Sequence, residues 1–214
     1  MSKTRRLGVG PADIAEAVEA LVRGGVIAFP TDTVYGIGAD VRRLDAIAAL
    51  YEVKGRPTDK AIPLLLAGAE ELNAVAQEVP ESAWRLAEQF WPGALTLVVR
   101  RAPSLPPVLS AEGSTVAVRV PDHPVVRALI GGLGAPLAAT SANISGQPSP
   151  VTAEEVLAQL EGRIVLLLDG GPCPGGHAST VVDLTATPVR ILRAGPITAQ
   201  EIEAVLAISP DRCG

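Results

Sequence analysis

Four short segments carry polar groups that chemistry can use, and each adjoins a run of apolar residues. Pro30-Thr31-Asp32-Thr33-Val34-Tyr35-Gly36 gathers the side chains of Thr31, Asp32 and Thr33 beside a glycine, enough to grip a small polar ligand. The same residues also suit an ordinary Asx or Ser/Thr turn. Lys54-Gly55-Arg56-Pro57-Thr58-Asp59-Lys60 places three cations within seven residues. Point charge and a bidentate guanidinium would make that loop an anion cradle for a polyphosphate, while compensation of a helix C-terminal dipole accounts for the cations equally well. The third segment, Ala138 to Gly146, offers Thr140, Ser141, Asn143 and Ser145 without any charge. Such groups orient a ligand and neutralise little; a plain Ser/Asn turn is the alternative. The fourth, Asp169 to Thr180, is a Gly/Pro loop ending in Ser179 and Thr180, shaped for a ligand lid or a flexible connection.

Absences narrow the chemistry. Neither G-x-x-x-x-G-K-[ST] nor G-x-G-x-x-G occurs, so neither phosphate-cradle fingerprint applies. The two cysteines, Cys173 and Cys213, lack an adjacent general base and read as structural. With only His123 and His177 beside them, no zinc site of known spacing and no disulfide framework can be assembled. Trp84 and Trp91, seven apart, read as core anchors more readily than as a base-stacking platform.

The elements that must position these loops follow from periodicity. Ile14, Ala17, Val18, Leu21 and Val22 recur at helical spacing, and Gly24-Gly25 stops that helix before a buried strand over Val26–Phe29. Helices are predicted over Leu44–Val53, Glu81–Trp91 and Pro124–Ile130. Strands are predicted over Ile62–Leu66, Leu95–Val99, Thr115–Val120, Leu137–Thr140, Ile164–Leu168, Val181–Leu184 and Val189–Leu192. Capping boxes at Thr152 with Glu155 and at Thr198 with Glu201 start two further helices. Strands and helices interleave without a polar linker, which predicts an α/β domain with a mixed sheet and helical cover.

The chain of 214 residues is 48% apolar, enough for one sizeable core, and its 3% aromatic content makes that core aliphatic. Eighteen Lys and Arg against 23 Asp and Glu give a net charge of −5, which argues against a surface that is wholly a nucleic-acid footprint and leaves room for a local basic groove. The longest uncharged stretch, Ala128 to Ala153, is broken by glycines and prolines and predicts no membrane span. The basic start, Met1 to Arg6, is not followed by a long apolar run, so a cytoplasmic protein without a secretory leader is expected.

At its loops the chain resembles the YrdC/Sua5 family of L-threonylcarbamoyladenylate synthases, from about Ile14 through Leu206. The resemblance rests on Phe29–Gly36, Lys54-Gly55-Arg56-Pro57, Trp91-Pro92-Gly93-Ala94-Leu95-Thr96, Val118-Arg119-Val120-Pro121, Ser141–Gly146, Ser179–Asp183 and Leu192-Arg193-Ala194-Gly195. Each motif is weak alone; seven in this order are specific. The resemblance implies a YrdC-like α/β fold: a twisted mixed sheet, helices packed around it, and a concave, positively charged cavity. One synthase unit over residues 1–206 and a tail over 207–214 are expected.

The implied activity joins L-threonine, bicarbonate or CO2, and ATP into threonylcarbamoyl-AMP and pyrophosphate, a nucleotidyl transfer that serves N6-threonylcarbamoyladenosine in tRNA. Carried over residue by residue, the catalytic set is Lys54 and Arg56 of K-x-R with Ser141 and Asn143 of S-x-N. Nucleotide contacts fall on Arg56, Lys60, Thr115, Ser141, Ser149 and Arg193. Threonine contacts fall on Thr33, Arg119 and Ser179, with the Arg119 fork expected on the carboxylate. Lys54 and Arg56 are expected to act on the transition state. Mg2+ is expected to arrive with ATP, without a protein ligand. The implied partner is a downstream tRNA threonylcarbamoyl transferase complex, with a direct tRNA contact left open. Leu65 departs from the pattern, because several members carry a histidine there. Two alternatives are a double-stranded RNA or tRNA binding module and the carbamoyl-adenylate handling of hydrogenase maturation proteins.

Overall fold

The computed structural model describes residues 3–207. The strands are β1 (Arg5–Leu7), β2 (Ile27–Phe29), β3 (Gly36–Asp40), β4 (Leu64–Leu65), β5 (Leu95–Arg100), β6 (Thr115–Arg119), β7 (Leu137–Ser141), β8 (Leu166–Leu168), β9 (Thr180–Asp183) and β10 (Arg190–Arg193). The helices are α1 (Pro11–Val22), α2 (Leu44–Lys54), α3 (Leu72–Val75), α4 (Glu81–Phe90), α5 (Pro124–Leu133), α6 (Ala153–Leu160) and α7 (Ala199–Ala207). Among the described residues the strands form one twisted mixed sheet in the order β1-β8-β2-β3-β7-β4-β6-β5-β9-β10. On one flank α1 packs on α5, and on the other α4 packs on α7.

Local sequence explains the helix ends. Pro11 opens α1, where its missing N–H costs nothing, and the Asp13 carboxylate accepts the Gly10 N–H at 3.1 Å. Gly55 ends α2 at φ 58°, which fixes where the K-x-R loop leaves the helix. Both predicted capping boxes form: Thr152 Oγ1 accepts Glu155 N–H at 3.2 Å, and Glu201 Oε2 accepts Thr198 N–H at 2.8 Å. The core is aliphatic as expected, with Leu21, Ile27, Ile37, Ile47 and Leu64 inaccessible to solvent.

Several boundaries differ from the sequence reading. The segment predicted as a strand over Ile62–Leu66 keeps regular pairing only at Leu64–Leu65, between β6 and β7. Helix α7 runs through Ala207, one residue into the expected tail; residues 208–214, with Cys213, lie outside the described residues. Two strands were not anticipated. Strand β1 is a short, charge-rich piece at the sheet edge. Strand β3 carries glycines at 36 and 38 because a β-carbon at either would press on the Phe29 ring, at 2.9 and 3.1 Å.

Candidate functional site

A cavity of about 110 Å³ opens on the sheet face at the middle of the strand order. It is lined by the Thr31–Gly36 turn, Pro63 and Leu65 of the β4 segment, Thr96 of β5, Arg119 of β6, Ala139 to Ser141 of β7, and Ala178, Ser179 and Arg193 from the β9–β10 side. Its volume is far below the roughly 300–1,000 Å³ of pockets for drug-sized ligands. The cations lining it are Arg119 and Arg193, and no carboxylate does.

Arg119 is the centre of this arrangement and is 6% exposed. Its Nε donates to Gly93 O at 2.8 Å, Nη1 to Thr33 Oγ1 at 2.9 Å, and Nη2 to both Asp32 oxygens at 2.7 and 2.6 Å. The fork expected to read a ligand carboxylate is therefore already engaged by Asp32. A bidentate ligand contact through Nη1 and Nη2 requires Asp32 to yield. Thr33 and Thr31 share a hydroxyl bond of 2.9 Å, so the turn is braced from within.

Ser179 stands across the cavity. Its hydroxyl lies 2.7 Å from Thr96 Oγ1 and accepts Arg193 Nη2 at 3.1 Å, while Arg193 Nε donates to Ser179 O at 2.9 Å. Arg193, expected on the nucleotide, thus shares the cavity with the residues expected on threonine. Burial, with the Arg119 charge nearby, pushes the Arg193 guanidinium below its ordinary range. Thr96 was missed as a site residue. Its signal was a hydroxyl within an otherwise apolar strand, which a buried position must satisfy.

The K-x-R loop differs from the expected three-cation cradle. Lys54 is 3% exposed and turns inward: Nζ donates to Ser141 O at 2.6 Å, Asn143 O at 2.8 Å and Asn143 Oδ1 at 2.9 Å, with Ser141 Oγ at 3.3 Å. An ammonium has three protons, and those three short bonds use them all. Burial, with Arg56 nearby, pushes this group down to about 7. Arg56 folds onto its own loop, Nε donating to Lys60 O at 3.1 Å and Nη2 to Ala61 O at 2.7 Å. Lys60 is exposed.

Of the sequence-predicted residues, Thr33, Arg119, Ser141, Ser179 and Arg193 meet in the cavity, whereas Lys54, Arg56, Lys60, Thr115, Asn143 and Ser149 do not line it. Asn143 lies just behind, its Oδ1 accepting Ser141 Oγ–H at 2.5 Å. Thr115 alternates onto the same face of β6 as Arg119, about 13 Å along the strand. Ser149 is exposed on the loop that follows β7. The Gly/Pro segment crosses above the Thr31–Gly36 turn. Tyr35 OH donates to Gly171 O at 2.8 Å, and Gly175 approaches so closely that a β-carbon would lie 2.5 Å from Asp32 O.

The Sua5/YciO/YrdC family model, described as "Telomere recombination", matches residues 19–195. The chain belongs to this family. It is 45% identical to the threonylcarbamoyl-AMP synthase of Bacillus subtilis over 95% of its length, and spans 59% of that relative. Identity to a putative threonylcarbamoyl-AMP synthase of Mycobacterium tuberculosis is 43%, over 91% of this chain and 89% of the relative. The Pyrococcus abyssi Sua5 structure complexed with L-threonine superimposes with a TM-score of 0.91 at 41% identity, covering 95% of this chain and 60% of that one. The chain therefore spans little more than half of some members and most of others. No helix of the described residues is long and apolar enough to cross a membrane.

Proposed function

We propose that this chain is a threonylcarbamoyl-AMP synthase that works in the cytoplasm, forming its product and pyrophosphate from L-threonine, bicarbonate or CO2, and ATP. The observation that carries this reading is the convergence of Thr33, Arg119, Ser179 and Arg193 in one small cavity beside the Ser141–Asn143 loop. Similarity to named synthases and to a threonine-bound Sua5 supports it. The cavity takes the amino acid, and the nucleotide lies outward along Ser141, Arg56, Lys60, Thr115 and Ser149.

The chemistry asks for no protein nucleophile. The threonine amine adds to CO2 with loss of a proton to solvent, or to bicarbonate with loss of water, and gives an N-carboxylate. One of its oxygens attacks the α-phosphorus of ATP; the bond from that phosphorus to the β-bridging oxygen breaks, and pyrophosphate leaves with the electron pair. Positioning and charge neutralisation do the remaining work. Arg119 and Arg193 sit where the carboxylates gather. Because the Lys54 protons are committed inward, charge for the departing pyrophosphate falls to Arg56 and Lys60. Mg2+ enters as part of the triphosphate substrate and neutralises charge on its phosphates. The product is a labile mixed anhydride, and a tRNA threonylcarbamoyl transferase complex is the class of enzyme that consumes it. Pyrophosphate release measured with ATP, threonine and bicarbonate together and singly tests the proposal. Release is expected only with all three, and equal release without threonine overturns it.

A further inference from the structure

Lys54 is the K-x-R cation that is buried, whereas Arg56 is half-buried and bonds carbonyls of its own loop. Around its Nζ lie two backbone carbonyls and two side-chain oxygens, all from Ser141 and Asn143. The loop they belong to is also tied to its surroundings by Ala142 N–H donating to Tyr35 O at 2.8 Å and Ile144 N–H to Gln159 Oε1 at 3.0 Å, and internally by Gln147 N–H donating to Ile144 O at 2.9 Å. Asn143 Nδ2 donates to Ile144 O at 2.8 Å and to Gln147 O at 2.7 Å, and Ser145 N–H donates to the Lys54 carbonyl at 2.8 Å. Remove that nitrogen, and the carbonyls of Ser141 and Asn143 each lose a donor while the Asn143 amide oxygen keeps only Ser141 Oγ–H.

We propose that Lys54 is a positioning residue: its side-chain nitrogen, enclosed by Ser141 and Asn143, holds residues 141–147 in the shape that receives the nucleotide and does not itself touch a phosphate. This rests on the synthase reading and narrows it, since it separates the K-x-R pair into a brace for the neighbouring loop, Lys54, and a cation held on its own loop, Arg56.

The test uses the full chain and its Lys54→Met variant, which keeps length and apolar bulk but removes every donor. Binding of adenosine, AMP and Mg-ATP is measured by calorimetry, with hydrogen exchange at the Ser145 and Gln147 amides. A brace weakens all three ligands by a similar factor, about 10-fold or more, and speeds exchange at both amides. A direct phosphate contact would spare adenosine and weaken only the phosphorylated ligands; that result, or unchanged exchange, overturns the proposal. A double-mutant cycle with Asn143→Ala adds an independent reading. The combined loss is expected to stay close to the larger single loss, and losses that multiply count against the brace. If Lys54→Met does not fold, Lys54→Gln restores two neutral donors, and binding retained above that of Lys54→Ala supports the brace while equal loss refutes it. A wild-type chain that fails to bind Mg-ATP would remove the synthase reading itself, whereas the exchange measurement reports on Lys54 in either case.

Discussion

The Arg119–Asp32 pair sets two demands against each other at a single side chain. With Asp32 in place the buried guanidinium is neutralised, and with Asp32 displaced its fork is open to a ligand carboxylate. Asp32→Asn is therefore expected to lower unfolding free energy by about 3–5 kcal/mol, because it leaves a buried cation short of its partner. The same change should tighten L-threonine binding by removing the internal competitor. Denaturant unfolding and calorimetric titration on one preparation check both directions, and weaker threonine binding would mean that Asp32 supports the ligand. Lys54 gives the residue scale a pH signature. Its folded value of about 7 lies below the ordinary 10.5, so between those limits the unfolded chain holds a proton that the native chain has released. Stability should then rise with pH across that window, and the rise should vanish in Lys54→Met. Urea midpoints at pH 7 and pH 9.5 measure the difference. Sequence alone placed Lys54 correctly at the end of a helix but left its direction open, since charge clusters read the same whether they face a ligand or a neighbouring loop.

Elements bring these residues together, and their legibility varied with length. Long periodic segments such as α1, α2 and α4 announce themselves through apolar spacing. Strand β3 does not, because its glycines serve the Phe29 ring across the sheet, a tertiary need that outranks strand propensity. Strand β1 is three residues long and rich in charge, too short for any period to emerge. The cavity loops were visible as polar runs after strands, whereas the Thr96 contact with Ser179 depends on β5 lying beside β9, which no local pattern states. Strand β4 offers a test of its own. Pro63, Leu65 and Ala139 make an apolar wall beside Arg119, on the face opposite the fully buried Leu64, Val118 and Ala138. That wall suits the threonine methyl, so serine should be used roughly 10-fold to 200-fold less well in kcat/KM. Leu65→Ala should shrink that ratio. In the Gly/Pro loop, Gly175→Ala places a methyl against the Asp32 backbone and must lift the loop. The threonine KM is expected to rise several-fold while Tm stays within a few degrees, as fits a surface loop that adds little core; an unchanged KM would show that the loop does not cover the site.

At the scale of the whole molecule the sheet is uneven. Five strands, β1, β8, β2, β3 and β7, lie on one side of β4, and four, β6, β5, β9 and β10, lie on the other. Only Leu64 and Leu65 make regular pairs with both halves. The cavity sits over this waist: Thr33 and Ser141 come from one half, and Arg119, Ser179 and Arg193 from the other. A waist two residues wide is, with the β2–β8 step, the narrowest pairing in the ladder, and the Asp32–Arg119 pair is a clasp thrown across it. Opening of that seam should be a low-energy excursion of the folded chain, seen as faster amide exchange at Leu64 and Leu66 than in the flanking β3 and β6. A ligand held by both halves acts as a second clasp, so saturating threonine with Mg-ATP should slow exchange at the seam far more than at the sheet edges. Substrate would then be felt as mechanical closure of a book whose spine is two leucines, and the rate at which the product escapes would be set by how often that spine flexes.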